Sequence, residues 1–163
     1  MEYMQSLQQN LSLFGKNLKG ASEIEINQAE EKMGFRFPEA VREFLLFAGN
    51  DYSYLWRGTG GDGLPNQDYQ LKLSAKLLAE CKVVLPADYY PFSTYSGDQF
   101  MFFYFSDGDN PPVYRFEMEL FDRGDEYIPG SVALGYPKGV SKIADTFSEL
   151  INYFVQAEIK QEH

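Results

Sequence analysis

The sequence predicts a single α+β domain, in which a small antiparallel sheet carries helices packed on one side. Residues 22–50 show two short apolar stripes at helical spacing, joined at a glycine–proline corner. Gln99 to Phe105 and Val113 to Met118 read as a strand pair, and Phe147 to Val155 as a helix lying on a sheet. With 163 residues, 44% of them hydrophobic and 17% aromatic, the chain can bury a proper core, and one domain is expected.

Met4, Leu7, Leu11, Phe14 and Leu18 recur at spacings of three and four, which predicts an amphipathic helix over Glu2 to about Leu18, weakened near its end by Gly15. The expected organisation is therefore an N-terminal helix in residues 1–20, docked on a domain formed by residues 21–163. A partner-binding or dimer-forming helix is the alternative, since the repeat is too short for a coiled coil alone.

Ser22 and Glu25 have the spacing of a capping box, and Ile26, Ala29 and Met33 follow on one helical face. Gly34 suits a left-handed helix end, with Phe35 folding back on the last turn. Pro38 suits the first position of a second helix, whose stripe is Val41, Phe44, Leu45 and Ala48 and which stops at Gly49-Asn50.

Asp51 to Asp68 is rich in glycine and aromatic residues and reads as a loop. Its run Gly58 to Gly63 lacks the Lys-Ser or Lys-Thr and the strand-to-helix setting of a phosphate loop. Trp56 and Arg57 are residue types that anchor interfaces, although a tryptophan plugging the core edge is the plainer reading. Leu71 to Lys82 reads as a short strand running into a helix capped by Ser74, with Leu77, Leu78 and Cys81 inside. Pro86 and Pro91 force extended backbone before the sheet. Gln99 to Phe105, QFMFFYF, is so aromatic that the central strand has either two covered faces or one exposed aromatic surface. The turn Asp107 to Pro112 leads to Val113-Tyr114-Arg115-Phe116-Glu117-Met118, whose alternation marks a half-buried partner strand. One more short strand is expected around Val132 to Leu134.

The formal net charge is −10, which disfavours direct binding to nucleic acid or an anionic membrane and points to a basic partner. Cys81 is the one cysteine, so no intrachain disulfide forms, and no apolar run reaches membrane-spanning length. The N-terminal residues do not read as a secretion signal, so a cytoplasmic location is expected. His163 is the single histidine and lies at the terminus, which argues against Ser-His or Cys-His catalysis and against the usual zinc sites. Asp107 with Asp109, or Glu117 with Glu119, read as solvated acids rather than a glycosidase pair. The Asp107 turn lacks the later residues of a calcium loop. No enzyme activity, cofactor or metal is expected.

The order of these features resembles the SMI1/KNR4 family of the SUKH superfamily. Glu30, Met33, Gly34, Phe37, Pro38, Val41, Phe44, Leu45, Gly49 and Asn50 stand where that family carries Glu, Leu-Gly, Leu-Pro, Phe-Leu and a closing Asn-Gly. Phe37 replaces the usual leucine, and Gly49-Asn50 inverts the closing pair. Pro91-Phe92, Gly97-Asp98, the strand Phe100 to Phe105, Val113-Tyr114 and Ala144 to Leu150 extend the likeness to about Phe154. The resemblance implies a protein-binding domain, many bacterial members being immunity proteins that neutralise polymorphic toxins, often nucleases. The alternative is a regulatory scaffold of the cell-wall-regulator type, binding a cellular protein or a small ligand. The resemblance carries no catalytic residues. The candidate partner-binding residues are Trp56, Arg57, Tyr95, Asp98, Asp107, Asp109, Glu117, Glu119 and Asp122, where acids border aromatic strands. Such acids either meet a basic toxin or serve solubility.

Overall fold

In the computed structural model, which describes residues 1–57, 61–123 and 135–161, the N-terminal stripe forms two short helices, α1 (Gln5–Gln9) and α2 (Leu11–Phe14), then a 3-10 turn at Gly15–Asn17. The single helix expected over residues 2–18 breaks at Asn10, whose side chain donates to the Ser6 carbonyl at 2.8 Å. An asparagine that bonds nearby backbone competes with the helical ladder. Met4, Leu7, Phe14 and Leu18 are nevertheless buried in the main core. The Glu43 carboxylate holds the start of the chain, accepting the N–H groups of Glu2, Tyr3 and Met4 at 3.0, 2.8 and 3.0 Å.

Helices α3 (Glu23–Met33) and α4 (Glu39–Ala48) form the expected corner. Ser22 Oγ accepts the Glu25 N–H at 3.1 Å while Glu25 Oε2 accepts the Ser22 N–H at 2.9 Å, which satisfies two donors that a helix start leaves open. Gly34 ends α3 at φ 78°, a conformation that costs glycine nothing. Phe35 goes elsewhere than expected, stacking on Phe105 at 4.7 Å. Pro38 caps α4 from one position before its first turn. Glu30 ties the corner together: its carboxylate accepts the Phe37 N–H at 2.6 Å and pairs with Arg42. Gly49 is required by crowding rather than by φ, since a Cβ there would lie 2.6 Å from the Leu45 carbonyl oxygen and 2.8 Å from the Ala21 Cβ.

After 3-10 turns at Ser53–Trp56 and Leu64–Asn66 comes α5 (Gln67–Glu80). The strand and Ser74 cap expected here are corrected: Ser74 is mid-helix and its hydroxyl donates back to the Leu71 carbonyl at 2.9 Å. Leu71 and Leu73 alternate with polar neighbours and mimic a strand, while the inward positions one turn earlier are taken by buried Gln67 and Gln70 rather than by apolar residues.

Strands β1 (Tyr89–Tyr95), β2 (Gln99–Tyr104), β3 (Val113–Glu117) and β4 (Val140–Ala144) follow in that spatial order, each antiparallel to the next. Helix α6 (Met118–Arg123) leaves the end of β3, and α7 (Phe147–Gln161) closes the chain. The strand expected around Val132 to Leu134 lies outside the described residues. The sheet's first face, with Tyr90, Phe92, Met101, Phe103 and Val113, packs against α1, α4 and α7 through Leu7, Phe44, Phe147, Ile151 and Val155. The α+β class and small antiparallel sheet stand, but helices are not confined to one side. Phe100, Phe102, Tyr104, Phe116 and Val140 form a second buried face, covered by Leu77 and Leu78 of α5 with Val83, Leu85, Met118 and Phe121. A strand that is apolar on both faces requires this, because each exposed aromatic would forgo roughly 1.5–3 kcal/mol of burial.

Candidate functional site

The first face changes character along its length. At one end Phe103 and Val113 are fully buried. The next pair in register is Met101 opposite Arg115, and the one beyond is Gln99 opposite Glu117. A bulge in β1 at Phe92 places Ser93 beside Met101 and Tyr95 beside Gln99. The face therefore turns polar where α7 runs past it, and a groove opens there.

A cavity of about 210 Å³ forms one end of the groove, lined by Trp56, Ser93, Tyr95, Gln99, Phe100, Met101, Arg115 and Phe154. It continues into about 520 Å³ between β4 and α7, where Lys142, Ile143, Asp145, Glu149, Leu150 and Tyr153 join the shared lining residues Met101, Arg115 and Phe154. Tyr95 and Tyr153, 55% and 68% exposed, stand at its rim. Exposed aromatics beside a concavity are the usual anchors of a protein interface.

The wall bearing Trp56 is held firmly. The indole meets Tyr52, Phe92 and Phe154 edge-on at 5.4, 6.0 and 5.7 Å, so it plugs the core edge and lines the groove at once. Its Nε1–H donates at 2.8 Å to the buried carboxylate of Asp62. Asp62 also accepts from Gln70 Nε2 at 3.1 Å, Ser93 Oγ at 2.9 Å and the Thr94 N–H at 3.2 Å, joining the loop, α5 and the edge of β1. These hydrogen bonds replace the water that a buried carboxylate loses. Arg57 is exposed, reaching Glu158 Oε2 at 3.3 Å and Gln161 on α7. Glu158 also accepts the Tyr54 hydroxyl at 2.8 Å.

Of the residues singled out from sequence, Trp56 and Tyr95 line the groove, and Glu117 pairs at 3.1 Å with Arg115, which lines it. Asp98 is exposed in the turn before β2, and its carbonyl accepts the Met118 N–H at 3.0 Å. Glu119 and Asp122 are exposed on α6. Asp107 and Asp109 lie at the opposite end of the hairpin, where the Asp109 carbonyl accepts the Ala40 N–H at 2.9 Å. The nine candidates thus divide between two ends of the sheet rather than forming one acidic face. Partial burial raises the Asp107 carboxyl above its ordinary range, and burial foremost, with Tyr114 and Asp107 nearby, pushes the Tyr104 phenol up to about 12. On the groove side, the hydrogen bond that Lys142 donates to the Asp145 carboxylate raises Lys142 above its ordinary range.

Sequence reasoning missed Gln99, Met101, Arg115, Tyr153 and Phe154. The alternation on β3 made Arg115 look solvent-facing; because Tyr114 and Phe116 face the second, covered side, Arg115 faces the first. The signal was an aromatic partner strand with no dry face to spare.

The profile of the SMI1 / KNR4 family (SUKH-1) matches residues 20–153. The chain belongs to this family. No curated protein matches it at a significant level. In this SMI1/KNR4 domain the residues that carry the family pattern have structural jobs. Glu30 bridges the α3–α4 corner, Gly34 and Pro38 punctuate it, and Asn50 donates to the Gly20 carbonyl and to Glu25 Oε2, both at 3.0 Å. Family membership supports a protein-binding domain. Among the described residues no helix is long and apolar enough to cross a membrane, and no group of three or more His, Cys, Asp or Glu side chains is placed to hold a metal ion.

Proposed function

We propose that this SMI1/KNR4 domain is a non-enzymatic immunity protein, acting in the cytoplasm, that binds and neutralises a cognate protein toxin through the groove between the sheet and α7. The observation that carries this reading is the concave surface rimmed by the exposed rings of Tyr95 and Tyr153 on a chain of net charge −10. Excess negative charge steers a basic partner such as a nuclease toward the surface, while the groove supplies the anchoring contacts. Occlusion of the toxin, not chemistry on it, is the mechanism, so the domain works in stoichiometric amounts. It needs no cofactor and touches no nucleic acid itself.

The test is to purify toxin domains encoded beside the gene, titrate each with this protein and follow toxin activity in rising salt. Inhibition reaching completion near one equivalent and weakening with salt is expected. Full toxin activity in the presence of excess protein for every such toxin would overturn the reading.

A further inference from the structure

Strand β3 presents a guanidinium on a face where its neighbour two residues back, Val113, is fully buried and its cross-strand partner, Met101, is nearly so. A cation there loses hydration and is tolerated only when paired. Glu117 supplies the pair at 3.1 Å, with the Arg115 side chain 38% exposed to the groove and that of Glu117 only 12% exposed. Departures from an apolar pattern at such positions concentrate at functional sites.

The pairing decides which ligand fits. Arg115 and Lys142 are opposed at the groove by Glu117, Asp145 and Glu149, and the whole chain is acidic, so a carboxylate entering would be repelled. A neutralised guanidinium still offers its planar face, and here the surroundings are Met101, Trp56 and Phe154. Planar guanidinium, thioether and ring edges all attract an aromatic ring. Resting on the protein-binding reading above, we infer that the cavity of about 210 Å³ takes one aromatic side chain of the partner, its ring against Arg115 and Met101. Lysines or arginines flanking that residue meet Asp98 in the adjoining turn and Asp145 and Glu149 along the groove.

The experiment is an NMR titration of the full chain with a blocked peptide, acetyl-Lys-Gly-Phe-Gly-Lys-amide, against the same peptide with Leu for Phe and against one with Glu for both Lys. Shifts are expected at the Met101 methyl, the Arg115 side-chain N–H and the Trp56 indole. The Phe peptide should bind about five- to tenfold more tightly than the Leu peptide, and the Glu peptide should not bind. Arg115→Gln and Arg115→Lys should both erase the Phe preference, because lysine keeps the charge and loses the plane. Tyr95→Ala, an exposed change with little folding risk, should weaken all binding. Equal affinity for Phe and Leu, a preference retained in Arg115→Lys, or shifts confined to another surface would each overturn the inference. The two readings fail separately. Peptide binding without neutralisation of any toxin sinks the immunity role alone, whereas a neutralised toxin complex weakened by Tyr95→Ala but indifferent to Arg115→Gln sinks the anchor alone.

Discussion

Two ends of one sheet face are built from the same strands and do opposite things. At the core end Phe103 meets Tyr90, Phe92, Phe105 and Phe147 with ring centroids 5.6–6.1 Å apart. At the groove end, one inward pair further along, Met101 and Arg115 line a groove whose other wall is α7. Two residues of register separate dry packing from an open polar floor. On the proposed reading, stability is concentrated at one end and recognition at the other, so the ends should respond differently to mutation. Phe103→Ala should give the largest loss, about 3–5 kcal/mol in urea unfolding, because a fully buried ring leaves a cavity that its neighbours cannot fill. A loss under about 1 kcal/mol would mean that this end is not the core.

Asp62 fastens the groove's Trp56 wall to both α5 and β1, and its removal should come next in size. Asp62→Ala leaves the Trp56, Gln70, Ser93 and Thr94 donors without their acceptor, and about 3 kcal/mol of stability is expected to go with it. Trp56 fluorescence should change at the same time, since the indole loses its hydrogen bond. An unaltered emission spectrum would show that Asp62 does not hold the wall.

How much of this was legible in the sequence follows from which forces are local. The capping box, the glycine stop and the proline restart act within a few residues, so the α3–α4 corner was readable almost residue by residue. The β2–β3 hairpin was readable because alternation and turn chemistry are local too. The sequence misleads at helix α5 because the side-chain amides of buried Gln67 and Gln70 donate to carbonyls far away in sequence, Gln67 to Ala29 at 3.4 Å and Gln70 to Phe92 at 2.9 Å. The groove was half legible: Trp56 and Tyr95 stood out by type, but Arg115 becomes inward-facing only once the second face of the sheet is known to be covered. Composition groups Asp107 with Glu117, whereas antiparallel register puts them at opposite ends of the hairpin.

Smaller changes sharpen the comparison. Ser22→Ala should cost about 1 kcal/mol, the loss of one helix cap, and should leave groove binding unchanged, since the capping box is remote from Arg115. The double change Arg115→Gln with Glu117→Gln should alter thermal stability by no more than about 1 kcal/mol, because a paired ion couple exchanged for neutral amides of similar shape is near break-even. A larger cost would mean that the pair is part of the core and that the division between the two ends is wrong.

The smallest effect is expected at Asp107, and it tests the other end of the hairpin by its sign. Partial burial raises the folded carboxyl above its unfolded value of about 4. The folded state therefore holds the proton more tightly than the unfolded chain, and the charged form is a burden at neutral pH. Asp107→Asn should raise the urea midpoint slightly at pH 7, and the gain should vanish as the pH falls below the unfolded value, where both states are protonated. Glu25 is the control of opposite sign. The Ser22 backbone hydrogen bond foremost, aided by Asn50, lowers its carboxyl, so its stabilisation is present at neutral pH and is lost as the pH falls through the folded value. Glu25→Gln should thus destabilise at pH 7 and be neutral in strong acid. If Asp107→Asn also destabilised at pH 7, that carboxylate would be making a favourable contact, and the Asp107 end would have to be reconsidered as a second binding surface.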